Sequence, residues 1–204
     1  TITNTATQLQ TEICSGAALN FTATTSVAGA TLNWTSSASP EITSGVTAAG
    51  TGAITDVPVN TSNATGTVTY TITPSYNGCA GPSVNYVVTV RPVPAVAASD
   101  ATICSGSSAN ISITNPNAVA GTTFTWVVLS STNVSGASAG SGAVIGQVLT
   151  ATDGVTTGTV TYRITAHVGS CNGGTVDVTV TVDPVPTITN TATQLQTEIC
   201  SGAA

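Results

Sequence analysis

The chain has 204 residues, 41% of them apolar and only 5% charged; 8 acidic side chains face Arg91 and Arg163, lysine is absent, and the formal net charge is -6. So little positive charge excludes a protein that tracks a phosphate backbone, because almost nothing is present to release counterions, and it disfavours anionic lipid surfaces. No run approaches eighteen uninterrupted apolar residues, so no membrane insertion is expected, and no basic-plus-apolar leader heads the chain.

In chain order, the first stretch sets the frame: Thr1 to Ala18 returns letter for letter as Thr187 to Ala204. The expectation is one full period of a tandem array, 186 residues long, followed by the opening of the next, with any export signal elsewhere. Within the period two unequal copies follow one another. Glu12-Ile13-Cys14-Ser15-Gly16 is echoed by Thr102-Ile103-Cys104-Ser105-Gly106, and Leu32-Asn33-Trp34 by Phe124-Thr125-Trp126. Gly66-Thr67-Val68-Thr69-Tyr70 is echoed by Gly158-Thr159-Val160-Thr161-Tyr162, and Arg91-Pro92-Val93-Pro94 by Asp183-Pro184-Val185-Pro186. The domains are therefore drawn as 1–94 and 95–186, with 187–204 as the start of the next repeat. The copies within the unit have diverged while its two ends have not, which reads as recent duplication of the pair and makes unit number a variable.

Every segment reads as β. In the first domain Ala18 to Thr24, Thr31 to Thr35, Ala53 to Val59, Thr65 to Thr73 and Ser83 to Val90 are strand candidates, rich in Thr, Val, Ile and aromatics between Gly, Ser, Asn and Pro. The second offers Ala109 to Thr114, Thr122 to Val128, Ala143 to Leu149, Thr157 to Ala166 and Thr175 to Val182. With no sustained 3.6-residue apolar period, the expected fold is all-β: tandem immunoglobulin-like Greek-key β-sandwiches.

Alternation names the core. Val84, Tyr86, Val88 and Val90 share one face of the first closing strand, and Val176, Val178, Val180 and Val182 one face of the second. Trp34 and Trp126 read as buried sandwich tryptophans; the other reading of a lone Trp, an exposed carbohydrate-stacking platform, is disfavoured by its recurrence in both copies. Tyr70 and Tyr162 read either as tyrosine corners, bonded back to a connecting loop, or as ordinary half-buried strand tyrosines.

The five cysteines carry the strongest local chemistry. Cys14 and Cys79 lie 65 residues apart, Cys104 and Cys171 lie 67 apart, and Cys200 repeats Cys14. Two per domain at near-fixed separation suit disulfides in an oxidising location, each adding roughly 3 to 4.5 kcal/mol through the unfolded state. Pairing within each domain is the preferred reading, although in an immunoglobulin topology the two points can lie at opposite ends of the sandwich. The alternative joins adjacent domains, for example Cys14 with Cys171. No C-x-x-C pair or histidine cluster points to zinc.

No catalytic constellation is present, so no enzyme and no cofactor is expected. His167 is solitary and has no counterpart in the first copy, while Glu41, Asp56, Asp100, Asp153, Asp177 and Asp183 are scattered. A weak interdomain calcium site near Asp100 or Asp183 is a minor alternative. Gly78, Gly81, Gly173 and Gly174 are assigned to turns where positive φ is useful. Asn20, Asn33, Asn60, Asn63, Asn110 and Asn133 each begin an N-x-Ser/Thr triplet, a pattern that arises easily by chance in this composition. Without lysine no Lys-Asn isopeptide bond can form, leaving disulfides as the covalent staple.

Taken together, Ile-Cys-Ser-Gly, Phe/Leu-x-Trp, Gly-Thr-Val-Thr-Tyr-x-Ile-Thr and the closing Val-x-Val strand before x-Pro-Val-Pro resemble the PKD-like, immunoglobulin-like repeats of giant secreted surface proteins of Bacteroidota. They are similar in particular to the repeat region of the mobile adhesins of gliding flavobacteria, a family exported by type IX secretion. The Trp-Asp-Phe-Gly-Asp-Gly motif of ordinary PKD domains is missing: Thr35-Ser36 follows Trp34, and Val127-Val128 follows Trp126. What the resemblance implies is an extracellular, cell-attached stalk that reaches a surface and transmits pull. The proline joints fit a semi-stiff rod. The expected partners are neighbouring repeats, with external polysaccharide or identical filaments as further candidates. Two other readings remain: a self-assembling filament or sheath, since little like-charge repulsion opposes lateral packing, and a multivalent array of weak glycan sites.

Overall fold

A computed structural model describes residues 1–190. Among them there is no helix, and hence none long and apolar enough to cross a membrane. The first domain carries β1 (Gln10–Cys14), β2 (Thr31–Ala38), β3 (Ile42–Ser44), β4 (Ala49–Thr51), β5 (Val59–Asn60), β6 (Gly66–Tyr76), β7 (Cys79–Ala80) and β8 (Val84–Arg91). The second carries β9 (Ala101–Cys104), β10 (Ser107–Ser108), β11 (Ile111–Ser112), β12 (Thr123–Thr132), β13 (Val134–Ser135), β14 (Gly140–Ser141), β15 (Val144–Ile145), β16 (Val148–Ala151), β17 (Gly158–Val168) and β18 (Cys171–Asp183).

Both domains repeat one topology. The main sheet runs β1-β8-β6-β2-β4 in the first and β9-β18-β17-β12-β14 in the second. Among the described residues its parallel pairs are β1 with β8 and β9 with β18. The opposing layer is thin. Ala18 to Thr24 forms no regular strand; Phe21 makes an isolated bridge to Ile54, supported by Leu19 N donating to Asp56 O at 2.8 Å. The equivalent layer of the second domain consists of short pairings among β10, β16 and β13 and between β11 and β15.

Side-chain alternation on the central strands builds the core. Val68, Tyr70 and Ile72 of β6 pair in register with Val88, Tyr86 and Val84 of β8, so their inward faces meet in rows. Tyr86, Val88 and Val90 are buried and Val84 packs against them; Val178, Val180 and Val182 do the same in the second domain with Val176 at the margin. Trp34 and Trp126 are buried, and each ring covers a glycine of the neighbouring edge strand, Gly50 or Gly140, where a Cβ would collide with the indole. Trp34 also meets Tyr70 edge-on at 5.5 Å. Neither indole is a surface platform.

Tyr70 and Tyr162 are fully buried, and their hydroxyls reach a connecting loop. The contacts are to side chains: Tyr70 Oη donates to Asp56 Oδ2 at 2.7 Å, and Tyr162 Oη to Gln147 Oε1 at 2.8 Å. Each acceptor in turn organises a second loop, Asp56 receiving Thr47 N at 2.8 Å and Gln147 receiving Ser138 N at 3.0 Å. Desolvation, and then the Asp56 carboxylate, push the Tyr70 phenol far above its ordinary range, so it stays a donor throughout neutral and mildly alkaline pH. Tyr70→Phe should cost about 1.5–3 kcal/mol in denaturant titration, because its acceptor is charged, and Tyr162→Phe about 1 kcal/mol. Equal costs would contradict the assignment.

Candidate functional site

The joint between the two domains brings several of the candidate residues together, and its geometry begins in Ile-Cys-Ser-Gly. Ile13 and Ile103 lean into their cores, so strand alternation turns Cys14 and Cys104 outward. The next two residues steer the chain from the main sheet to the opposite layer. Ser15 N donates to Arg91 O at 2.8 Å, its Oγ accepts from Asn60 N at 2.8 Å, and Gly16 turns at φ 79°. Ser105 makes the same pair of contacts with Asp183 O at 2.8 Å and Ala151 N at 3.0 Å, and Gly106 turns at φ 88°. Positive φ at that corner is open to glycine at little cost.

This corner decides the cysteine pairing. Cys14 lies beside Arg91, one rung beyond the Gly66–Val90 pair, whereas Cys79 lies beside Tyr76 at the other end of β6. Ten steps of strand separate the two levels, about 33 Å, far beyond the roughly 7 Å that a disulfide allows between Cα atoms. Cys104 beside Asp183 and Cys171 beside Val168 repeat the separation in the second domain. The expected pairs Cys14–Cys79 and Cys104–Cys171 are thus overturned. The bond present joins the domains, Cys14 to Cys171, with Cα atoms 5.5 Å apart, while Cys79 and Cys104 are free and exposed.

Around that bond the second domain receives the linker. Asn117 clamps it from two sides, its Oδ1 accepting from Ala95 N and its Nδ2 donating to Val93 O, both at 2.9 Å. Pro94 O accepts from Gly174 N at 3.1 Å, and the same carbonyl occupies the place a Cβ on Gly173 would need. Gly81, Gly173 and Gly174 do not adopt the positive φ expected of them; Gly173 is there for close approach, whereas Gly78 does turn, at φ 83°. Val119 and Val168 pack with Cys171 into a small apolar cluster that touches Cys14, so the disulfide is sheltered where it enters the second domain. Asn117, Val119 and Val168 carried no sequence signal, since their role exists only when two domains meet.

Arg91 completes the joint. Its Nε and Nη2 donate to Glu12 Oε1 and Oε2 at 2.5 and 2.9 Å, which lowers the Glu12 pKa, and its side chain passes beside Gly169 of the second domain. Arg163 makes the same fork with Asp177, at 2.8 and 2.7 Å. Both arginines are thereby committed to carboxylates.

The remaining candidates stay apart. His167 bridges Thr125 Oγ1 at 2.8 Å and Asn172 Oδ1 at 2.9 Å on a sheet face. Asp100 accepts from Thr179 N at 2.8 Å and Asp183 from Thr157 Oγ1 at 3.0 Å. Among the described residues no three His, Cys, Asp or Glu side chains gather as a metal site. Asp153 caps its own loop through Val155 N, Thr156 and Asn133, with the Thr156 hydroxyl contributing most to a depressed pKa. Asn60 is buried, its Nδ2 donating to Ala64 O at 2.8 Å and Val90 O at 2.9 Å, which removes it as a glycan acceptor. Cys200 lies outside the described residues.

No curated protein matches the chain. Among solved structures, domains 1–2 of human mucin-like protocadherin share 11% identity over 87% of this chain and 96% of that one, with a TM-score of 0.36. Domains 1–2 of chicken VE-cadherin share 14% over 87% and 98%, with a TM-score of 0.32. The two immunoglobulin domains of DIP-gamma share 10% over 85% and 93%, with a TM-score of 0.33. Over most of the chain, at residues 11–94 and again at 101–186, the sequence matches the PKD-like domain. With two tandem sandwiches of one topology, joined through a disulfide, the chain belongs to the PKD-like domain family.

Proposed function

We propose that this chain is a non-enzymatic stalk segment of a long extracellular cell-surface adhesin, one that multiplies reach and transmits pull. The observation that carries this reading is the Cys14–Cys171 bond across the joint. Bonded end to end in this way, the two domains can pass tension through the disulfide and past the folded sandwiches, as a part under load requires. A bond of this kind also calls for an oxidising, extracytoplasmic setting. The Asn117 clamp and the Pro-Val-Pro linker restrict swivel, so the rod is semi-stiff.

The resemblance noted in the sequence supports reading such a stalk as a part of gliding motility exported by type IX secretion, with neighbouring repeats as its direct partners and the external surface met elsewhere on the molecule. Burial of Trp34 and Trp126 removes the two recurring aromatic side chains that a glycan-binding array would use for stacking in every domain. The structural-filament reading draws on one observation, the exposure of Val127 and Leu129 on β12, of Val144 on β15 and of Val148 on β16. Electron microscopy of chains carrying several 186-residue units decides between them. Single beaded threads that lengthen in proportion to unit number are the expected result; laterally ordered bundles would make the surface, and not the joint, the functional element.

A further inference from the structure

We infer that Cys79 and Cys104 are the two halves of a second clasp of the same design, formed between consecutive units, and that the groove beside Cys79 seats the Asp183–Pro186 linker of the preceding unit. This rests on the tandem-stalk reading and follows from comparing an occupied joint with an open one. Cys104 ends β9 beside Asp183 as Cys14 ends β1 beside Arg91, and Cys79 follows its hairpin as Cys171 does. The same Pro-Val-Pro follows Arg91 and Asp183.

The receiving surfaces also correspond, at the constant offset of 92 residues that relates Trp34 to Trp126 and Gly66 to Gly158. At the occupied joint Val119, Val168 and Cys171 are 3%, 6% and 1% exposed. Their counterparts Val27 and Tyr76 are 42% and 47% exposed, and Cys79 is exposed as well. Together with Ala30, Pro74 and Gly81 they line a groove of about 450 Å3. Gly81 stands where Gly173 receives the Pro94 carbonyl. Thr1 lies at the rim of this groove, its amino group donating to Ser26 Oγ at 3.1 Å, much as Ala95 N donates to Asn117 on entering the second domain. Since Thr187 repeats Thr1 and directly follows Pro186, the segment arriving at a Thr1-type groove is Asp183-Pro184-Val185-Pro186.

Forming the bond removes one proton and one electron from each thiol; the two electrons pass to a disulfide oxidant such as glutathione disulfide, which leaves as two thiols. The result is a chain in which every sandwich is bonded to both neighbours, through its first cysteine to the domain after it and through its second to the domain before it.

The test is a chain carrying residues 1–186 twice in succession, refolded with a glutathione redox pair, alkylated, and mapped as non-reduced peptides. The expected map has Cys14–Cys171 within each unit, Cys104 of the first unit bonded to Cys79 of the second within one chain, and two free thiols. Four free thiols, or Cys104 bonded to a separate chain or to Cys79 of its own unit, would overturn the clasp. Cys104→Ser in the first unit, at an exposed position that leaves the cores intact, should raise the free thiols from two to three by releasing Cys79 of the second; an unchanged count would also overturn it. Imaging the same sample separates the two readings: single threads without the bond refute only the clasp, whereas bundles refute the stalk.

Discussion

Pulled by its ends in a non-reducing buffer, the chain should lengthen only through residues outside the Cys14–Cys171 bond. The bond spans a sequence separation of 157 residues, which at full extension amounts to about 500 Å of chain that force cannot reach. Tension entering at Thr1 passes from Cys14 to Cys171 and leaves through β18, bypassing most of both sandwiches. After reduction the same pull should release two steps, one per domain, that together recover that length. Single-molecule force spectroscopy reads the difference directly. Two full steps before reduction would show that force runs through the domains, and the account of the joint would fail. A stalk so bonded can lose domain structure to thermal fluctuation without growing longer, which suits an element that must deliver pull rather than absorb it.

Cys14→Ser should produce the largest loss of thermal stability of any single substitution outside the cores. Cys14 sits beside Arg91, and Cys171 is in the domain that receives Pro94, so the bond does more than link two finished domains. When either sandwich unfolds while the other stays folded, the bond still ties the unfolded chain into a loop of about 80 residues, worth roughly 4 kcal/mol to each domain through the entropy of its unfolded state. Against net stabilities of about 5–15 kcal/mol this is a large share. Calorimetry should show both transitions falling by on the order of 10 °C or more. Cys104→Ser in a single unit, where that thiol is free, should leave them in place. A Cys14→Ser transition unchanged within a degree would mean that the bond constrains nothing the folded joint does not already hold.

Much of this was legible in the residues. Alternation along Val84 to Val90, broken only by Val87 on the other face, and along Thr175 to Val182 fixes which side chains face inward, because a strand has a period of two and one buried face leaves no freedom of register. Recurrence separated core from ornament: Trp34 and Trp126 return with a glycine beneath each ring. The edge strands β1 and β9 were missed because four or five residues such as Gln10-Thr11-Glu12-Ile13-Cys14 carry too little alternation to stand out, and parallel pairing to a distant strand leaves no local trace. Tyr70 and Tyr162 do reach back to a loop, but to Asp56 and Gln147 side chains that nothing in the local pattern marks as acceptors.

The pairing of the cysteines shows where sequence stops. Spacing within each domain pointed to Cys14–Cys79 and Cys104–Cys171, since equal separations in two copies look like two equal loops. Composition, periodicity and repetition by themselves determined an all-β chain of two related sandwiches with two cysteines in each, because those features are read from residues a few positions apart and from their recurrence along the chain. Which cysteine meets which depends on the length of β6 and β17, which carries the two thiols of one domain to opposite ends, and on the linker, which brings the exit of one sandwich to the entrance of the next. Those are distances through space, and only the packed tertiary structure decides them.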